Sequence, residues 1–353
     1  MPHANKSLST KRYAKPAHFS RCSNFVGEAV ENYYTGIMFT SKLPCLALLM
    51  ALLLGIFQPT GEARLVSLKE PSKKLELELD GQRVSVIIDG SLNISQSDLL
   101  AYVRSAALAV GKVYGQIPVK RTVIRVEATD GDSVGFATST YNDDEDYGLI
   151  EIAIGRDTSR ETLDQSWTLT HELLHLGFPI VEHSKRWLAE GIATYEEPIG
   201  RLRLGLIRAE DLWGDLLLHA PDGLPQSGGR GLNNSSSWGR IYWGGALYCL
   251  LADIEIRQKT GNRYGLEHAL RGIASSGGNA RSDWTARQAL AAGDKAVGLD
   301  VLASLYQKMA YDSYSVDLAQ LWRQLGIKKT AAGIVFDNSA PLAKIRQAIE
   351  TGQ

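Results

Sequence analysis

Apolar residues in this chain change their period near residue 158, and that switch limits the fold more than any other feature. Before it, Leu75–Leu79 and Val84–Ile88 alternate apolar with polar, as strands do, and Asp80-Gly81 between them is a hairpin signal. Thr122–Val126, Gly135–Ser139 and Leu149–Ile154 read as further strands, with the acidic loop Asp143–Asp146 separating the last two. One amphipathic helix interrupts them, Ser97–Tyr114, with Leu99, Leu100, Val103, Ala107 and Val110 on one face. After the switch the pattern is helical. Thr158-Ser159-Arg160-Glu161 has capping-box spacing and predicts one helix running through His175. Further helices are expected over Lys185–Glu196, Trp243–Lys259, Leu266–Ile273, Asp283–Ala292, Asp300–Tyr311 and Leu318–Leu325, with the Gly/Ser/Asn-rich stretch Gln226–Trp238 as an exposed loop. The layout is α+β: a small mixed β-sheet in the N-terminal half (64–157) packed on a helical C-terminal half (158–353).

Residues 1–63 stand apart from that pattern. Leu43–Phe57 is an apolar run preceded by Lys42 and followed by Gly61 and Ala63. Fifteen residues make a helix of roughly 22 Å, short of the ~30 Å hydrocarbon core. Basic flank, short apolar core and small residues predict a secretory signal cleaved after Ala63, and hence a secreted, periplasmic or otherwise extracytoplasmic protein. An uncleaved membrane anchor through residues 43–57 is the alternative, and Met38 is a natural second start.

Charge and cysteines exclude more than they assign. The net charge of -1 gives no field for nucleic acid, and no nucleic-acid partner is expected. Cys22 and Cys45 precede or open the apolar run, which leaves Cys249 alone in the remaining chain. One cysteine cannot form an internal disulfide, and Cys249 is expected to pack as a small hydrophobe.

The chemistry concentrates in His171-Glu172-Leu173-Leu174-His175. Histidines four apart on a helix project from one face, a spacing that suits two ligands of one tetrahedral Zn2+ with a position open to water. Glu172, next to the first histidine, can reach that water as general base. A solvated helix face with two unrelated histidines would satisfy the same spacing. Fifteen residues on, Glu190 lies in Trp187-Leu188-Ala189-Glu190-Gly191-Ile192-Ala193-Thr194-Tyr195.

HELLH followed by WLAEGIATY resembles the gluzincin metallopeptidases: the thermolysin-like, aminopeptidase N-like and glycyl aminopeptidase families. The resemblance implies a zincin-like catalytic domain that cuts peptides with zinc held by His171, His175 and Glu190, on the second helix, while Glu172 activates the water. His183, Glu196 and Glu197 remain rivals of Glu190. A metzincin would need Gly at 178 and His at 181, where this chain has Phe178 and Val181. Tyr242-Trp243-Gly244-Gly245-Ala246-Leu247 resembles the region in which glycyl aminopeptidase-like proteins place a tyrosine at the head of a long apolar helix. By that resemblance Tyr242 would stabilise the oxyanion, although a tyrosine bridging core and solvent would look the same.

The resemblance covers about 160–280 and is weak elsewhere. No Gly-x-Met-Glu-Asn segment, which holds a substrate amino terminus in aminopeptidase N-like enzymes, is present. Gly135–Ser139 or Gly148–Ile152 could be the edge that pairs with an extended peptide, and Glu151 could face the cleft or turn away from it. A peptide or protein substrate is therefore expected, without a choice between endo- and aminopeptidase. An inactive zinc-binding scaffold of the same fold is the competing expectation.

Overall fold

The computed structural model describes residues 73–79, 81–226 and 229–353, so the extension 1–63 and its apolar run 43–57 lie outside the described residues. Among the described residues no helix is long and apolar enough to cross a membrane.

The alternating segments pair into a five-stranded mixed sheet. β1 (Lys73–Leu79) runs antiparallel to β2 (Gln82–Asp89) through a turn in which Gly81 takes φ +78°, a conformation glycine adopts without penalty. β3 (Arg121–Thr129) and β5 (Tyr147–Gly155) extend the sheet in parallel, and β4 (Val134–Asn142) closes it as an antiparallel edge, giving the order β1-β2-β3-β5-β4. Period-two alternation divides β5 between two faces. Ile150, Ile152 and Ile154 are buried toward the helices, whereas Leu149, Glu151 and Ala153 point to the other side. α1 (Gln96–Tyr114) lies on the first face, its Ser95 side chain capping the Asp98 N–H, with Leu99, Val103, Ala107 and Val110 in the core as their spacing predicts.

The helical half differs from the pattern in one place that matters. Instead of one helix through His175, α2 (Arg160–Gln165) ends at Ser166, and α3 (Thr168–His175) starts afresh in a new direction. Ser166 is extended (φ -71°, ψ 132°), accepts the Thr168 N–H at 3.3 Å and bonds the buried Tyr102 hydroxyl at 3.2 Å, so its side chain replaces the broken backbone bonds. Gly148 has no room for a Cβ, which would sit 2.8 Å from Leu176, so the end of α3 presses directly on β5.

α4 (Arg186–Arg203) runs beyond the expected Glu196, continuing through Pro198. The lost N–H bond there is outweighed by a face that buries Trp187, Leu188, Ile192, Tyr195 and Ile199. α5 (Ala209–His219) follows, and α6 (Trp238–Thr260) begins five residues earlier than the pattern indicated because Ser237 caps it through the Arg240 N–H. α7 (Leu266–Ser275), α8 (Ala286–Val297), α9 (Leu302–Tyr311) and α10 (Leu318–Leu325) complete the helical layer. A small hairpin of β6 (Ile327–Thr330) and β7 (Gly333–Phe336), then α11 (Ala343–Thr351), finish the chain; these three carry no clear period in the sequence.

Two contacts hold the helical layer in register. α4 crosses α6 with glycine against glycine: a Cβ on Gly191 would meet Gly245 backbone at 2.3 Å, and one on Gly245 would meet the Trp187 carbonyl oxygen at 2.3 Å. Deeper in, Arg257 of α6 donates to Asp253 at 2.8 Å and to both oxygens of Glu267 on α7 at 2.9 Å, while the Tyr195 hydroxyl of α4 donates to Asp253 at 2.9 Å. Buried charges are tolerated because each is paired.

Candidate active site

α3 presents His171 and His175 on the face turned to α4. Their rings stand edge to face at 5.0 Å between centroids. Glu190 reaches them from the second turn of α4, with Oε2 3.3 Å from His171 Nε2 and 3.5 Å from His175 Nε2. These separations are long for hydrogen bonds, yet they match the edges of roughly 3.3–3.4 Å in a tetrahedron with ~2.0–2.1 Å bonds to nitrogen and oxygen. Two imidazoles and a carboxylate are also a usual donor set for zinc. Side-chain exposure rises from 5% at His171 to 16% at His175 and 23% at Glu190, so the cluster is closed behind and open on one side.

Glu172 is the second carboxylate within reach, one of its oxygens lying within 4.8 Å of a ring nitrogen of each histidine. The Ser139 hydroxyl of edge strand β4 donates to it. Glu190 is the carboxylate seated against both imidazoles, whereas Glu172 is held from the sheet side, so the two occupy different positions in one cleft.

The surroundings divide the titration of these groups. Burial pushes the Glu172 carboxyl up, against the pull of His175 and His171. Burial also opposes ionisation of Glu190, but the two histidines overcome it and hold that carboxyl well below the usual carboxylate range. His175 is the other half of the pair: burial lowers its pKa, Glu190 raises it more, and the net result is about 9. The protein thus collects negative charge at a point where a cation, or a proton in its place, is stabilised. Tyr242 is pushed well above its ordinary value, first by burial and then by Glu190 and Glu172, so its hydroxyl stays protonated and donates to Glu190.

Tyr242 lies in the second turn of α6, where the sequence placed it just before a helix. The α4–α6 glycine crossing brings it in, since Gly245 is three residues along the same helix and Gly191 follows Glu190 directly. Its ring stacks 6.1 Å from His171 and 4.2 Å from Trp238, and Trp167 meets His171 edge-on at 5.3 Å. Trp238 and Trp167 had no motif to announce them, and neither did Ser139. Their role is visible only once the break before α3 and the early start of α6 are known.

The rival ligands lie elsewhere. His183 bonds Arg186 in the turn before α4, Glu197 pairs with Arg201 at 2.9 Å, and Glu196 is sealed in the core. Gly148–Ile152 belongs to interior strand β5, so β4 is the free edge. Glu151 turns away from the cleft and pairs with Arg125 at 3.1 Å. Cys249 is buried and unbonded to sulfur, as expected of a packing residue. A separate cavity of about 300 Å3, lined by Glu182, Lys185, Arg287, Leu290, Tyr306 and Tyr311, includes none of the clustered histidines and carboxylates.

Mixed sheet, free antiparallel edge, histidine helix and glutamate helix together make a zincin-like fold. One solved structure shares that fold. An aminopeptidase N family protein from Idiomarina loihiensis overlays 72% of this chain with a TM-score of 0.55 at 14% identity, and the matched region is 49% of that protein. The M1 zinc metallopeptidase from Deinococcus radiodurans overlays 68% of the chain and 52% of its own at a TM-score of 0.46 and 16% identity. A mutant of it bound to a Tyr-Ser-Ala substrate overlays 70% and 53%, at 0.47 and 14%. The first likeness establishes a shared fold, and this chain spans about half the length of these proteins. No sequence family matches the chain, and no curated protein does.

Proposed function

We propose that the chain is a zinc-dependent hydrolase of peptide bonds. The observation that carries this reading is the clustering of His171, His175 and Glu190, whose Oε2 lies 3.3 and 3.5 Å from the two imidazole Nε2 atoms, separations that a shared zinc ion would require. His171, His175 and Glu190 would hold the metal. Bound zinc would supply a Lewis acid that polarises a carbonyl and lowers the pKa of water toward ~7.

The chain's own groups would do the rest. Glu172, desolvated and tethered by Ser139, is placed to accept a proton from the attacking water at its carboxylate and return it to the leaving amine. The protonated Tyr242 hydroxyl would donate to the oxyanion as charge develops. An extended peptide can pair with the free edge of β4, whose inward-facing Ser139 leads straight to Glu172. Residues 43–57 would carry the protein to or through a membrane, and N-terminal sequencing of the exported form, with cleavage after Ala63 expected, checks that part separately.

The test is metal analysis and a broad peptide-cleavage screen on wild type and Glu172→Gln. Zinc near one equivalent in both, with cleavage only by wild type, supports the reading. One equivalent of zinc with no cleavage by either leaves a zinc-binding scaffold, and no zinc in either removes the reading altogether.

A further inference from the structure

One half-buried cation, Arg186, has no carboxylate or carbonyl acceptor among the described residues. Arg186 opens α4 four residues before Glu190, so the two share a helix face with Cβ atoms roughly 5–6 Å apart. Arg186 is half-buried, and among the described residues it bonds only the His183 ring. Every other buried or half-buried arginine among the described residues donates to a carboxylate or a backbone carbonyl: Arg240 to Gly223 and Arg230, Arg271 to Val113 and Lys112, Arg201 to Glu197, for example. A guanidinium kept partly out of water with only a histidine ring to bond is an arrangement that the fold elsewhere avoids. Lys185 is its neighbour, and Glu182, four residues before it, accepts from the Ala286 N–H on α8 instead.

We propose that Arg186 is the anchor for a substrate carboxylate, so that the peptides this site takes carry an acidic side chain or a free C-terminus next to the bond being cut. The inference rests on the peptidase reading for the identity of the ligand, and on Arg186 alone for its charge. Side chains on a helix lean toward its N-terminus, so the guanidinium lies on the far side of Glu190 from α4's C-terminal end. Successive residues of an extended peptide advance ~3.3 Å, which places the anchored carboxylate within about two residues of the reacting carbonyl. The guanidinium fork can grip a carboxylate with two parallel bonds while one N–H stays on His183.

The test measures binding, so it does not depend on turnover. Zinc-loaded Glu172→Gln protein is titrated with fluorescein-tagged hexa-alanine peptides in which one position at a time is Glu or Gln, each with a free or an amidated C-terminus. The expected result is one position at which Glu binds about tenfold tighter than Gln, or a tenfold preference for the free terminus, which tells the two carboxylate sources apart. Adding Arg186→Gln should bring that ratio to about one, while Arg186→Lys, which keeps the charge and loses the fork, should keep part of it. Equal binding of all pairs, no binding at all, or a ratio that survives Arg186→Gln overturns the proposal. Selection for the carboxylate together with no cleavage by zinc-loaded wild type would leave the anchor standing and remove the peptidase reading instead.

Discussion

Glu196 allows a prediction whose size can be worked from its surroundings. Its side chain is buried to 1% exposure on α4, and neither carboxyl oxygen has a hydrogen-bond partner among the described residues. Burial pushes its pKa from the ordinary 4.5 up to about 8; Arg203 and Arg257 pull it down, while Glu267 and Asp253 push it further up. The folded protein therefore holds a proton that the unfolded chain releases, and stability must fall as pH rises between those two values. At 1.36 kcal/mol per pH unit the full span is worth about 5 kcal/mol, and about 3 kcal/mol is already lost by pH 7. Glu196→Gln mimics the protonated carboxyl and cannot ionise. Urea denaturation of both proteins from pH 5 to pH 9 should show the variant gaining on wild type by about 3 kcal/mol between pH 5 and pH 8, then levelling. Taking the difference between the two proteins removes the shared titration of Asp253 and Glu267. A difference that stays flat within about 0.5 kcal/mol would refute the assignment of Glu196 as a neutral acid.

Three further outcomes follow from the site and its supports. Glu190→Ala removes one of the three proposed zinc ligands and should reduce zinc after dialysis by at least tenfold; unchanged metal content would move the third ligand elsewhere. Tyr242→Phe should lower kcat about ten- to a hundredfold with little change in KM, and an unaltered kcat would leave the tyrosine a packing role. Gly245→Ala drives a methyl to 2.3 Å from the Trp187 carbonyl, which should cost about 1–3 kcal/mol in thermal unfolding and weaken zinc retention as α4 is pushed from α6; an unchanged melting temperature would contradict the glycine crossing.

The parts of this structure legible in the sequence were those where one local rule governs. Strand alternation and helix period give the two halves, and i,i+4 spacing alone puts His171 and His175 on one face. Glu190 was singled out by the resemblance of Trp187-Leu188-Ala189-Glu190-Gly191 to a third-ligand helix, and in the structure Trp187 fills the core while Gly191 lets α6 approach. The break at Ser166 was not legible, because Thr158-Ser159-Arg160-Glu161 is a sound start for one long helix. What ends that helix is a bond from Tyr102, 64 residues away. The same holds for Glu151, whose direction depends on which side of β5 the helices cover, and for Ser139, which matters only once β4 becomes the edge beside α3.

The two edges of the sheet differ in a way that bears on handling the protein. β1 carries Lys or Glu at four of its seven positions, a charge pattern that discourages strands of other molecules from adding on. β4 carries no charge in its nine residues, and Phe136, half exposed, sits in the bulge near its start. A strand edge left uncharged so that a peptide can lie along it is equally open to a neighbouring copy. Self-association should therefore begin at β4 in concentrated, ligand-free samples, and a short bound peptide should act as a solubiliser as well as a ligand.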